Sequence, residues 1–217
     1  MRRLPALFIA SAVLIAGCAG NPPKQTPIAP WTPPTPPPTP FHTPAPTPNA
    51  DASARQVRTG TGAIAGWVDF APAGESFAIL MPVAPGDPQT ATQANQAGNL
   101  TITTWASTGK DCQVSITTVK GFSGTFAADQ ILDGAPDQIA STNNPPLKAS
   151  KPTPVTIAGK PGRTFTLTGK TADGHDVYVL AEIVLDNGTL YNLAWGAPAA
   201  PADTGEPDAF FASFLLS

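Results

Sequence analysis

The chain has 217 residues, 27 of them proline, with a net charge of −3 and only two cysteines. With a single cysteine, Cys112, in residues 62–217, no disulfide framework can staple that part of the chain, and it contains no CxxC pair, HExxH or Walker loop. Seven Lys and Arg against fourteen Asp and Glu give the same residues a net charge of −7, which argues against nucleic acid as a partner.

Met1-Arg2-Arg3 sets two positive charges before an apolar segment from Leu4 to Ile15, too short to serve as a stable bilayer span. The segment closes with Ile15-Ala16-Gly17-Cys18. This resembles the bacterial lipobox, which implies cleavage before Cys18 and acylation of its thiol, with palmitate or a similar chain often added to the new amino group. Residues 1–17 are therefore expected to be a lipoprotein signal peptide. The expected address is the extracytoplasmic side of a bacterial cell envelope, with outer-membrane sorting open to a two-membrane organism.

Thirteen prolines fall between Pro22 and Pro48, mostly alternating with threonine. Proline lacks an N–H and fixes φ, so this stretch favours polyproline II over helix or sheet. Residues 18–61 are expected to be the lipidated cysteine followed by a disordered spacer, and residues 62–217 one globular domain.

In chain order, "GWVDFAP" and "SFAILMP" read as short strands divided by an Ala73-Gly74 turn. "NLTITTWAS" and "DCQVSITTV" alternate as strands, which makes Cys112 a small buried hydrophobe rather than a nucleophile. "GTFAADQILDGAPDQIAST" has helical spacing interrupted by Gly134 and Pro136. A kink is expected there, or a second short helix with Pro136 as its first residue.

"PVTI", "RTFTL", "HDVYVLAEIVL" and "DNGTLYNLAWG" then form a meander, with Asn187-Gly188 as a two-residue hairpin turn. That turn pairs Val184 with Tyr191, Glu182 with Leu193 and Leu180 with Trp195. One face carries Val177, Val179, Ala181, Ile183 and Leu185. The other carries Tyr178, Leu180, Val184, Tyr191, Leu193 and Trp195, with Glu182 in its middle. Neither face is polar, so both need cover, by helices or by a second sheet. "TGEPDAFFASFLLS" closes the chain as a short helix with an aromatic side.

The order of "SFAILMP", "ILDGAPDQI", "IAGKPGRTFTL" and "FFASFLLS" resembles PsbP-like domains. The resemblance implies an α+β fold, an α/β/α sandwich with a central, mostly antiparallel sheet. An all-β sandwich or open barrel with short helices is the alternative. It also implies a non-catalytic adaptor, with no catalytic residue, metal or cofactor to carry over.

The functional expectation is a membrane-tethered, non-catalytic module, monomeric, binding a protein or a small ligand. An extracytoplasmic hydrolase is the alternative, but the domain's single histidine, His175, lies beside a turn without a nucleophile motif near it. The candidate site is Arg163, Glu182, Tyr191 and Trp195. A carboxylate on a covered apolar face needs a partner, and arginine offers a two-point one. Glu182 is thus expected to meet Arg163, to line a polar notch with Tyr191 and Trp195, or to reach solvent at a sheet edge.

Overall fold

A computed structural model describes residues 64–217 apart from 96–97 and 123–126. The signal peptide, Cys18 and the proline-rich spacer lie outside the described residues. Eleven strands and two helices are present among those described.

The large sheet has eight strands, all joined to their neighbours antiparallel. These are β3 (Gln89–Asn95), β4 (Gly98–Thr108), β5 (Gln113–Lys120), β6 (Lys148–Ala149), β7 (Thr153–Ile157), β8 (Lys160–Lys170), β9 (Asp176–Asp186) and β10 (Thr189–Ala197). They run in the order β3-β4-β5-β10-β9-β8-β6, with β7 also paired to β8. Two tight hairpins set the meander. Asn187 and Gly188 have φ of 47° and 76°, the left-handed pair that a two-residue turn of matching twist requires. The β9–β10 register is the one the sequence implies, with Val184 opposite Tyr191 and Glu182 opposite Leu193.

Strand alternation then separates two apolar faces. One gathers Leu100, Val119, Phe165, Leu167, Val179, Ile183 and Leu190 under α1 (Ala128–Thr142). The other gathers Trp105, Val114, Ile116, Val184, Tyr191, Leu193 and Trp195. Its cover is a second sheet of three strands, β1 (Val68–Phe70), β2 (Phe77–Met81) and β11 (Leu215–Leu216), in the order β1-β2-β11. Beside it lies α2 (Gly205–Ala212), which supplies Phe210 and Phe211.

This corrects the expected α/β/α sandwich. The fold is mostly antiparallel β and β-sandwich-like, with only two helices among the described residues. The reason lies in β2. Phe77, Ile79 and Met81 turn towards the large sheet and are almost fully buried, so the opening hairpin does the covering that a second helical layer was expected to do. Phe77 sits against Trp105 at 5.5 Å, Tyr191 at 6.0 Å and Phe214 at 6.2 Å between ring centroids.

Of the two outcomes expected at Pro136, a kink or a second short helix, the second helix does not form. One helix runs from Ala128 to Thr142 with Pro136 inside it and buried. Proline removes one helical hydrogen bond, and here the apolar stripe of Leu132, Ala135, Pro136 and Ile139 facing the sheet outweighs that loss.

Candidate functional site

The structure divides the four predicted site residues between the two faces. The β8–β9 register places Arg163 opposite Ile183 and Glu182 opposite Thr164. Arg163 therefore points with Ile183 to the α1 side, and Glu182 points with Val184 to the aromatic side. The expected Arg163–Glu182 pair does not form. Parity was readable from each strand alone, but which parity of β8 shares a face with Glu182 depends on the register between strands. A one-residue slip inverts it.

Arg163 is satisfied by α1 instead. Its Nε donates to Asp133 Oδ1 at 2.6 Å, Nη2 to Asp129 Oδ1 at 2.8 Å and Nη1 to the Gly162 carbonyl at 3.1 Å. The two carboxylates, four residues apart on the helix, straddle the guanidinium and raise its pKa further above its ordinary value, against the opposing effect of burial. This is a clamp between α1 and β8.

Glu182 is 2% exposed and shares its face with Tyr191 and Trp195, as expected. The Trp195 indole, however, is engaged elsewhere, donating from Nε1 to Glu206 Oε1 on α2 at 3.2 Å. Tyr191 stacks against Phe77 and Phe214, and burial pushes its hydroxyl pKa up. These contacts make the aromatic side a packed core.

Cys112 lies at the same end of that core. Burial, then the hydrogen bond and negative charge of Glu206, push its thiol up from 9.0 to about 12. Such a thiol is about one part in 10,000 thiolate at pH 8, so nucleophilic chemistry is suppressed. The shift also has a pH signature. The native state holds the proton more tightly than the unfolded chain, so this stabilisation is intact below about pH 9 and declines as pH rises towards about 12. Alkylation of the folded chain by iodoacetamide at pH 8 should be negligible over hours. Glu206→Ala should speed it measurably, because both contributions of Glu206 raise the pKa, while unfolding in urea should make either chain react fully.

The less expected feature lies on the α1 side. α1 packs over β6, β8 and β9. On the β10, β5 and β4 part of that face, the row of Leu190, Val119 and Ile102 is apolar and buried, and the rows beyond it are small or polar. Register lines up Thr104, Thr117 and Asn192 across three strands. The next row is Ala106, Ser115 and Ala194, and the one after it is Thr108, Gln113 and Gly196. In the second and third rows Ala106 and Thr108 on β4 are exposed, whereas Ser115 and Ala194 are buried, as is Asn192 in the first row.

Within this region Thr104 and Thr117 join their hydroxyls at 2.9 Å. Asn192 is 1% exposed, and its Oδ1 has no hydrogen-bond partner among the described residues; Gln113 Oε1 is likewise buried without one among them. A buried amide carbonyl left without a donor costs about 1–3 kcal/mol. An arrangement that tolerates this cost suits a guest that brings a donor. No ionised group belongs to these three rows, so the complementary guest is uncharged. Sequence reading passed over Asn192, although one signal was there: an amide between Leu190 and Ala194 interrupts an otherwise apolar strand face.

The remaining candidates stay apart. His175 is exposed on the β8–β9 turn, its backbone N–H bonded to Thr171 Oγ1 at 3.2 Å. No group of three or more His, Cys, Asp or Glu side chains among the described residues is placed to hold a metal ion. No helix among them is long and apolar enough to cross a membrane.

No family model matches the chain, and no curated protein matches it. Among solved structures it is similar to LpqN of Mycobacterium tuberculosis, described as involved in cell envelope biogenesis. Identity is 13%, over 70% of this chain and 84% of that one, with a TM-score of 0.35. At that level of similarity nothing about LpqN is transferred to this chain.

Proposed function

We propose that this chain is a bacterial cell-envelope lipoprotein, anchored through Cys18 on the extracytoplasmic side, whose domain is a non-catalytic binding module for an uncharged, donor-bearing ligand. The observation that carries the ligand reading is the buried Asn192 carbonyl, without a partner among the described residues, beside rows of small and polar residues whose β4 members Ala106 and Thr108 are exposed. The anchor reading rests on Ile15-Ala16-Gly17-Cys18 after an apolar segment of secretory length. The proline-rich residues 22–48 would serve as the spacer between that anchor and the domain.

Binding is favoured over hydrolysis by the state of the nucleophile and base candidates. Cys112 is held as a neutral thiol, and His175 stands on an exposed turn of β8–β9. The hydroxyls of Thr104, Thr108, Ser115 and Thr117 in these rows both donate and accept, which suits recognition by hydrogen bonds.

Native mass spectrometry of the full chain, extracted from its own membrane, tests both parts. The mature chain should begin at Cys18 and carry acyl mass, and a non-covalent guest should accompany it. Asn192→Leu should lose the guest while keeping the acyl mass and a cooperative melt. An unmodified mature chain would retire the anchor. Absence of a guest, or equal occupancy in Asn192→Leu, would retire the ligand site.

A further inference from the structure

The two edges of the large sheet are built differently. One edge is interrupted: β6 has two residues and β7 five, β7 carries Pro154, and Lys148, Lys151 and Pro152 lie along it. Broken strands, lysine and proline are the usual means by which an edge is kept from pairing with another chain. The opposite edge has none of these. β3 is seven residues long, contains no charge and no proline, and pairs only with β4 among the described residues. Its side chains from Gln89 to Thr92 are exposed. In a domain with a net charge of −7, an uncharged, unblocked strand is the surface on which a second copy meets least repulsion.

The sequence of that strand is also self-complementary. Gln89-Thr90-Ala91-Thr92-Gln93 reads the same in both directions. Any antiparallel pairing of a strand with its own copy has a two-fold axis. When that axis passes through Ala91, Thr90 of each copy faces Thr92 of the other, and Gln89 faces Gln93. Thr–Thr pairs are among the favourable cross-strand pairs, Gln amides donate and accept reciprocally, and the two central alanines offer no obstruction.

We propose that β3 is a homotypic docking edge, at which two copies of this chain pair antiparallel about Ala91. This departs from the monomer expected from sequence. A single strand pair buries less than the roughly 1,200–2,000 Å² of a stable complex, so the association is weak and reversible. It does not require the anchor at Cys18, although confinement to one surface would raise its effective concentration.

Disulfide trapping of the full chain in its native membrane tests this. Directly opposed residues have Cα atoms about 4.5–5.5 Å apart, within reach of a disulfide. Ala91→Cys should therefore form a covalent dimer under mild oxidation, and Asp173→Cys on the exposed β8–β9 turn should not. Adding Thr90→Asp and Thr92→Asp to Ala91→Cys puts like charges opposite one another and should slow trapping on the order of tenfold. The same should hold for Thr90→Lys with Thr92→Lys. Co-expressing the acidic and basic chains should restore trapping as a mixed dimer, which also shows that both variants fold. Trapping of Ala91→Cys no faster than Asp173→Cys would overturn the proposal. So would capture of a different protein in place of a second copy, or indifference to the charge pattern.

Discussion

Phe210→Ala should lower stability by about 3–5 kcal/mol, the range for emptying a fully buried aromatic site. Phe210 is 0% exposed and lies 5.1 Å from the Phe211 ring and 6.1 Å from Trp67. Its helix, α2, has eight residues and would not persist alone, so packing holds it in place. Three further attachments depend on that seat. The Trp195 indole bonds Glu206 at one end of α2, and Ser213 Oγ accepts the Leu80 N–H at 3.0 Å at the other. Beyond Ser213, β11 pairs Leu215 with Ala78. Truncating Phe210 leaves a cavity beneath all three. The measurement is urea denaturation, where the midpoint should fall with the slope unchanged. Glu206→Ala removes a contact at the exposed end of the helix and should cost far less. Equal losses for the two would mean that polar fastening, rather than burial, holds α2.

Much of this packing was legible in the sequence. Asn187-Gly188 sets the β9–β10 register, and strand alternation sorts Val177 to Ile183 onto one face and Tyr191 to Trp195 onto the other. The aromatic side of the closing helix was readable from Phe210, Phe211 and Phe214. The identity of the cover was not. A face apolar on both sides states that something must lie over it, but a helix and a second sheet satisfy that demand equally. What decides is how β2 uses its own two sides: Phe77, Ile79 and Met81 face the large sheet, while its edges bond β1 and β11. The β2–β11 pairing joins residues more than 130 positions apart, beyond any local pattern. The Arg163 partner was hidden for the same reason, since it depends on how β8 slides against β9. Asn192 was visible as a residue type, yet the burial of its carbonyl depends on how the strands assemble around β10, which no local pattern states.

The Arg163 clamp should respond asymmetrically to removal of its two sides. The guanidinium is the buried partner, with 11% of its side chain exposed, whereas Asp129 and Asp133 are 77% and 57% exposed. Removing the arginine leaves two carboxylates that water can solvate at once. Arg163→Met also keeps apolar volume against Ile183 and α1, so its cost should be about 1 kcal/mol or less, in the range of exposed pairs. Removing both carboxylates strands a cation over an apolar face, with the Gly162 carbonyl still accepting from Nη1. A fully buried charge left this way costs about 3–5 kcal/mol. Partial exposure and entering water reduce that to about 2–3 kcal/mol for Asp129→Ala with Asp133→Ala. Part of the loss belongs to Asp129 itself, which sits in the first turn of α1 and interacts favourably with the helix dipole, worth about 0.3–1 kcal/mol. Adding Arg163→Met to the double variant should then recover stability, because the stranded charge is gone. That sign reversal is the decisive reading: a substitution that is neutral to mildly harmful in the native chain becomes stabilising once the carboxylates are absent. Thermal melts of the four chains measure it. Simple additivity would show that the clamp is a surface contact, and that α1 is held to the sheet by Leu132, Ala135 and Ile139 alone.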